Sequence, residues 1–569
     1  MKNLFLLTLL LLLMGGFMYQ LMYHRVPYQD PLELVASDCV LMVDWTDASA
    51  SARDFFNSRF GRNLTSIDWP YVLDQLAVSA DFRKRLEEKS AAVIDCFSSP
   101  LCKKIFASRV VFALLPAEQT TVSGRPETPL GQRVILVATL KSRLVLPALL
   151  SSMAWLKGKV RRLTYRGRTI KRLELASGGN VYFALIDGNL VASPGRSAIE
   201  QSIDLLLQHR VQEQTGLLTN QNYRELRKRY RGNDFFIYAD IPRLTSFFHL
   251  SHFSQQSAGE AGSSQLSGVK QIALFHSTDS NTQRLITLVK LSPDQLTNEQ
   301  KKLYSRRPVL NSRLPDIPSE LVMYFWSNWL DLSGWWEEVV SSSGKSGRET
   351  TDKMSAWIRQ KTGLEIDQFL SLFGQEFGIN VTQIRTSGFF PVPSLCCFLE
   401  LEEPAMVAGI LEKGLSGLTL WRDTIDGVPV VSVMIAHGLM RPSYAVLDNY
   451  LLVADSRKQI EQLLAEKTSR LLDDELFKTV DTGMSKPANV HLFARTSLIV
   501  DSIKELVSWV GTVVAVRDGA AGKKSKILVD QVILPLLDGL KTFKAKSVRG
   551  YAGPGEVIFD AVVLTEPAN

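Results

Sequence analysis

The chain has 569 residues, of which 45% are hydrophobic and 22% are charged, and its formal net charge is +7. This composition is ordinary for a globular protein, and the length is too great for one hydrophobic core, so we expect two or more domains. The charge is modest for this length, and no helix-turn-helix, zinc-finger or RNA-binding signature accompanies it. The usual classes of nucleic-acid-binding protein are therefore excluded.

The N-terminal segment 3–23 is apolar, with 21 residues that include no charge. As a helix it would be about 31 Å long, which is enough to cross the hydrocarbon core of a bilayer. Lys2 precedes it, and the positive-inside rule then places the N-terminus in the cytoplasm. We therefore expect a single-pass protein of the bacterial inner membrane, with residues 1–30 as cytoplasmic tip, anchor and linker and the bulk in the periplasm. A cleaved signal peptide is the alternative, although no small-x-small cleavage site follows before Arg25.

The five cysteines are too few for a disulfide scaffold. Cys96 and Cys102 flank the short segment FSSPL, which a disulfide could close in an oxidising compartment, and two partly buried thiols are the equal alternative. No cysteine or histidine spacing typical of a metal site occurs, so we expect neither metal nor cofactor.

Several β-rich runs come next in the chain. Residues 39–45 (CVLMVDW) indicate a buried strand, and the runs 109–115 and 133–139 indicate neighbouring strands. A basic run without acidic residues then spans 157–172. It could contact anionic headgroups or an acidic polymer, or it could be a solvated strand face. Its cations are Lys157, Lys159, Arg161, Arg162, Arg166, Arg168, Lys171 and Arg172.

An internal repeat is the strongest signal in the sequence. Residues 183–201 (FALIDGNLVASPGRSAIEQ) align without a gap with 444–462 (YAVLDNYLLVADSRKQIEQ), and seven of nineteen positions are identical. We infer two copies of one domain-sized unit. Each segment indicates a β-hairpin with Asp187 or Asp448 in its turn, followed by a helix. The first of these helices carries Ile199, Ile203 and Leu206 on one face. Both helices also have the four-residue spacing of a helix-face ion pair, Arg196 with Glu200 and Arg457 with Glu461. The fold class predicted is α+β, with two tandem domains and mainly antiparallel sheets.

The predicted domains are copy 1 at 31–291, a connector at 292–315 and copy 2 at 316–569. Near the start of copy 2, the segment YFWSNWLDLSGWW is unusually aromatic. Tryptophans at this density serve a core, a docking surface or a membrane interface. The four are Trp326, Trp329, Trp335 and Trp336.

A long amphipathic stretch, 496–543, occurs in copy 2 only. Ile499, Ile503, Leu506 and Val510 recur at three- and four-residue spacing, which predicts one apolar helix face. We expect a helical hairpin with its turn at 518–524 and a kink or end at Pro535. The apolar face would cover its own domain, bridge to copy 1 or bind an outside partner.

The sequence resembles a bacterial family of membrane-anchored envelope proteins known only as a domain of unknown function. The matching features are the anchor, the strand CVLMVDW, the segments 364–381 and 444–462, and the phrase LLDDELFKTV at 471–480. The phrase LFGQEFGI within 364–381 is the most family-like. The resemblance implies an extracytoplasmic α+β protein and offers no catalytic residues.

Searches for catalytic patterns find no P-loop, no H-E-x-x-H and no G-x-S-x-G. We therefore expect a non-enzymatic protein that binds another envelope protein or supports an envelope assembly. A binder or carrier of a lipid-like amphiphile is the second hypothesis. An enzyme of unfamiliar chemistry is the third.

Overall fold

A computed structural model describes most of the chain. The described residues are 29–84, 86, 103, 105–116, 133–140, 160–174, 179–209, 215–230, 232, 234–247, 268–387, 390–435, 440–465, 469–517 and 519–566. The predicted anchor 3–23, the pair Cys96 and Cys102, and Lys157 and Lys159 lie outside them. No helix within the described ranges has the length and apolar character that crossing a bilayer requires.

The architecture is α+β, as predicted, and the described strands pair in an antiparallel manner. The described residues form 20 strands. They are β1 Leu41–Trp45, β2 Val110–Leu114, β3 Val134–Thr139, β4 Val160–Tyr165, β5 Arg168–Glu174, β6 Asn180–Ile186, β7 Asn189–Ser193, β8 Phe235–Asp240, β9 Val269–Asp279, β10 Thr282–Leu291, β11 Met323–Ser327, β12 Phe373–Ser387, β13 Phe390–Leu401, β14 Leu420–Ile425, β15 Val428–Val433, β16 Ser443–Leu447, β17 Tyr450–Ala454, β18 Val490–Ala494, β19 Phe543–Gly553 and β20 Glu556–Thr565.

The helices lie between these strands. They are α1 Ala48–Asn57, α2 Arg59–Ser66, α3 Trp69–Gln75, α4 Arg196–His209, α5 Gln221–Arg229, α6 Ile241–Phe247, α7 Asn298–Tyr304, α8 Leu332–Ser342, α9 Lys345–Thr362, α10 Ile366–Leu370, α11 Pro404–Gly414, α12 Arg457–Leu464, α13 Glu475–Val480, α14 Thr496–Arg517, α15 Gly519–Leu528 and α16 Leu534–Leu540. A π-helical turn, Val529–Ile533, joins α15 to α16.

The chain divides into two compact units. Unit 1 contains Met1–Phe55, Ser79–Ser251 and Lys270–Ser277. Its strands pair in the order β4-β5-β6-β7-β3-β2-β1-β8-β9. The predicted helix face of α4 is confirmed, because Ile199, Ile203 and Leu206 are all buried.

Unit 2 contains Phe56–Val78, His252–Val269 and Thr278–Asn569. Its strands pair in the order β14-β15-β16-β17-β13-β12-β11-β18-β19-β20-β10. Large aromatic side chains, among them Tyr324, Trp326, Phe398 and Phe493, fill its main core cluster.

Local turn chemistry explains why the hairpins form where the sequence predicts them. Asp187 and Gly188 make the two-residue turn between β6 and β7, both at positive φ (38° and 87°). Asp448, at φ 52°, begins the turn between β16 and β17. Aspartate and glycine tolerate this left-handed backbone, which two-residue hairpin turns with the twist of the flanking strands require.

The predicted C-terminal helical hairpin is present as α14 and α15, but its turn is shorter than expected. Residues 519–524 belong to α15 and do not form a turn. Within α15, Gly522 packs closely against Ala515 of α14, and an added Cβ would lie 2.3 Å from the Ala515 Cα. Pro535 opens α16 directly after the π-helical turn, so the helical path continues through it.

Candidate functional site

A cavity of about 680 Å³ lies in unit 1 at the ends of β1, β8 and β9, beside α5. Its volume is in the range of small-molecule sites. One wall is aromatic: the Phe236 and Phe275 rings stack at 4.6 Å, and the Tyr230 ring lies 4.3 Å from that of Phe275. The other lining residues are Asp44, Thr46, Arg109, Arg224, Arg227, Lys228, Gly232 and Asp234. We call this cavity the Arg109 pocket.

Arg109 is held rigidly at the pocket wall. Its Nε and Nη2 donate to the two carboxylate oxygens of Asp44 at 2.8 and 2.6 Å, and its Nη1 donates to Asp30 at 3.0 Å. Burial disfavours the charged guanidinium, but the hydrogen bond and charge of Asp44 outweigh burial and raise the pKa of Arg109. Arg227 reaches the second oxygen of Asp30 at 3.4 Å. Arg109 therefore stays charged and ordered, and Asp44 and Asp30 balance the charges of Arg109 and Arg227.

Sequence reasoning missed this pocket because its residues are far apart in the chain. Asp44, Arg109 and Phe275 come from three strands or strand ends, and only the segment 223–230 supplies several lining residues together. That segment, YRELRKRY, is a basic run between two tyrosines and was the one local signal.

The basic run predicted at 157–172 lies on β4, its turn and β5. Most of its described cations have a carboxylate nearby: Arg161 and Arg172 lie 3.9 and 3.1 Å from Glu174, Arg166 lies 3.2 Å from Asp204, and Arg168 lies 3.6 Å from Asp187. Arg162 is exposed opposite Lys171. Burial, followed by the charge of Arg162, lowers the pKa of Lys171. Contact of this run with an anionic surface stays a prediction.

The structure separates the four tryptophans that the sequence grouped. Trp326 is fully buried in the core, and its indole N–H donates to Glu376 at 3.0 Å. Trp336 is buried, Trp329 is half-buried, and Trp335 is 54% exposed. Trp326 and Trp336 are therefore unavailable for docking, and a docking role stays a prediction for Trp335 and Trp329.

Glu376 is the most unusual carboxylate in unit 2. The indole of Trp326 and the hydroxyl of Tyr450 both donate to its Oε2, at 3.0 and 2.9 Å. Burial raises the pKa of Glu376 in spite of these two hydrogen bonds. Both donors are fixed parts of the core, so the arrangement serves structure. Over the described ranges, no three histidine, cysteine, aspartate or glutamate side chains are grouped to hold a metal ion.

The apolar face of α14 is exposed, contrary to the expectation that it covers its own domain. Of the four predicted residues, Ile503, Leu506 and Val510 are 38%, 42% and 44% exposed, whereas Ile499 is half-buried. The opposite side of the helix faces inward instead, and Val500 on that side is 2% exposed. Periodicity identified residues that share a face but not what that face contacts. We call the exposed set the α14 face; it comprises Leu498, Ile503, Leu506, Val510, Val513 and Val516.

Comparison with known proteins identifies a family but no activity. A family model described as "Protein of unknown function (DUF3352)" matches residues 106–513. Two crystal forms of TP0453 are similar at the level of structure. Form III has 9% identity and a TM-score of 0.26 over 50% of this chain and 88% of that one, and form I has 11% and 0.24 over 47% and 80%. No curated protein matches this chain.

Proposed function

We propose, from the premise that this chain belongs to the DUF3352 family of proteins of unknown function, that it is a non-enzymatic envelope protein. It is anchored in the bacterial inner membrane by residues 3–23, with its bulk in the periplasm, and it supports an assembly there through a docking surface. The apolar N-terminal segment favours the anchor.

The observation that carries the proposal is the α14 face. Six large aliphatic residues on one 22-residue helix are each at least 38% exposed. Single exposed apolar residues are normal, but a contiguous apolar stripe on a surface is typical of an interaction site. The six residues are also spread over most of α14, so they form a strip and not a single point of contact.

An ectodomain made of two copies of one unit supports the scaffold role. Strands β4 to β9 and β14 to β19 occupy corresponding places in the pairing orders of units 1 and 2. The turns Arg166–Gly167 and Asp426–Gly427 have the same signs and nearly the same values of φ. Shared order and shared turns are the outcome expected when two segments descend from one sequence.

Site-specific photocrosslinking in intact cells tests the docking role. A photoreactive amino acid at Leu506 should give adducts with protein or lipid, because Leu506 is exposed on the α14 face. The matched control is the same residue at Lys413, which is exposed on α11. Adducts at neither position, or equal adducts at both, would refute a docking role for α14.

The Arg109 pocket favours a second candidate function, the binding of an amphiphile. An aromatic wall with the cation Lys228 beside it would suit a ligand with an apolar body and an anionic head. Phenyl phosphate is a soluble probe with both parts. Saturation-transfer NMR with the full chain in nanodiscs should detect phenyl phosphate, and the signal should fall in Lys228→Glu but not in Arg162→Glu. Equal signals from both variants would exclude the pocket as the site.

A further inference from the structure

We infer that the tip of the α14–α15 hairpin docks on an anionic lipid surface. The inference rests on the proposed docking role of the α14 face and names what that face contacts. The tip comprises the described residues on either side of the junction of the two helices, Val510 to Val516 of α14 and Gly522 to Lys526 of α15.

The hairpin is attached to the rest of unit 2 at its base. At the base, Arg59 of α2 donates from Nε and Nη2 to Asp538 of α16 at 3.1 and 2.6 Å, and Asn63 donates to the Pro535 carbonyl at 2.7 Å. Higher up, α14 and α15 meet through small residues, with Gly522 against Ala515. The close approach of the two helices keeps the tip residues in one arrangement.

Exposure of apolar surface is greatest at the tip. Val510 and Val513 are each 44% exposed, and Val516 is 86% exposed. Among the described large apolar residues, no other is as exposed as Val516. Exposed aliphatic surface at the end of a helical hairpin can enter the boundary between headgroups and acyl chains, where burial of each side chain favours binding.

Charge is also distributed unevenly along the hairpin. At the base, Asp501 pairs with Lys541 and Asp538 pairs with Lys504. Two exposed acids, Glu505 and Asp530, lie between the base and the tip. From Leu506 to Leu528 the sequence has four cations and one acid, Asp518. Three of these cations, Lys523, Lys524 and Lys526, are exposed on α15.

This combination fits an anionic bilayer better than the other occupants. Protein interfaces are depleted in lysine, whereas lysines beside exposed aliphatic residues add electrostatic attraction to anionic lipid. A second copy of this chain would bring two lysine clusters together, and like charges repel. The complement of the tip is therefore negative and apolar, as a surface of acidic phospholipid is.

Fluorescence of a label at the tip tests the inference on the full chain reconstituted into vesicles. Val516→Cys is labelled with an environment-sensitive dye, and Lys413→Cys on α11 is the matched control. The chain without an added cysteine measures labelling of the native thiols. Vesicles are made from phosphatidylcholine alone or with phosphatidylglycerol.

With phosphatidylglycerol present, the emission of the label at 516 should shift to the blue, gain several-fold in intensity and be quenched by spin-labelled lipid. The label at 413 should not respond. Replacing Lys523, Lys524 and Lys526 by glutamine, or adding high salt, should remove the dependence on phosphatidylglycerol.

Three results would overturn the inference. In the first, the label at 516 stays in water with both vesicle compositions. In the second, it is buried to the same extent with and without phosphatidylglycerol. In the third, a second copy of the chain already shields it in detergent. The crosslinking at Leu506 keeps the two proposals apart. Protein adducts there together with a water-exposed tip would leave the docking role standing and remove the lipid, whereas no adducts and no shift would remove both.

Discussion

Substituting Gly378 by alanine should strongly destabilise unit 2, because the core leaves no room for a methyl group there. Gly378 lies on β12 opposite Trp326 of β11. An added Cβ would lie 2.0, 2.5 and 2.7 Å from three ring carbons of Phe398. That ring is 2% exposed and is held by Tyr450, whose ring lies 6.1 Å away.

The size of the effect follows from this overlap. Relief requires the Phe398 ring or strand β12 to move, and overpacking of this kind costs about 1–3 kcal/mol. Phe398→Leu would shorten the side chain in the direction of the clash. The double variant should then lose less stability than the sum of the single variants, with a coupling of about 0.5–3 kcal/mol as expected for residues in contact.

Chemical unfolding of the full chain in detergent, followed by tryptophan fluorescence, measures these differences. The control is Gly409→Ala on α11, where nothing lies within 4 Å of an added Cβ. This control should be stabilised by about 0.5–1 kcal/mol, because alanine favours a helix. A Gly378→Ala midpoint equal to the parent, or strict additivity with Phe398→Leu, would refute the steric reasoning.

Three further predictions concern the cores of the hairpin and of unit 2. Gly522→Ala should destabilise the α14–α15 hairpin, because the added Cβ would meet the Ala515 backbone. The control, Gly519→Ala in the same helix, places its Cβ where nothing lies within 4 Å, so it should be neutral or stabilising. Hydrogen exchange over residues 496–540 measures both variants, and equal protection in the two would contradict the prediction. His491 is buried, and burial, with the charge of Arg549, lowers its pKa to about 3. The imidazole therefore takes up a proton near pH 6.5 in the unfolded chain, whereas in the folded chain it stays neutral. The free energy of unfolding should fall from pH 6.5 towards pH 3 by about 1.4 kcal/mol per pH unit. Unfolding midpoints across this range should fall less steeply in His491→Asn, and an unchanged slope would exclude His491 as the cause. The pKa of Glu376 is raised, so its charged form destabilises the folded state above that pKa. Glu376→Gln should therefore raise the unfolding midpoint more at pH 7 than at pH 4. The same change at both pH values would contradict the direction of this pKa shift.

The sequence predicted those parts of the fold that local chemistry determines. The turn at Asp187 needed only the Asp-Gly pair, and the face of α4 needed only the spacing of Ile199, Ile203 and Leu206. The ion pairs predicted at four-residue spacing are also present, with Arg196 2.7 Å from Glu200. Each of these features joins residues fewer than about eight positions apart, so no knowledge of the tertiary structure was required.

Features that depend on distant residues could not be predicted in this way. The glycines in LFGQEFGI were conspicuous in the sequence. Gly378 has no room for a side chain because the ring of Phe398, twenty positions later and on another strand, fills the space beside it. The same holds for the Arg109 pocket, which joins β1 to α5. The small residues in 519–524 suggested a turn, because the sequence does not show that one of them, Gly522, packs against Ala515.

The position of the hairpin in the fold gives a reason to look for function in it. In unit 2, α14 to α16 lie between β18 and β19, and these two strands still pair directly. In unit 1, β8 and β9 pair directly as well, with α6 beginning the interval between them. The same strand pairing therefore forms across an interval of 28 residues in unit 1 and of 48 residues in unit 2, so the additional length in unit 2 is not needed to make this part of the sheet. A stretch that is longer than the sheet requires, and that leaves its aliphatic residues exposed, is better explained by contact with something outside the unit than by stabilisation of the unit.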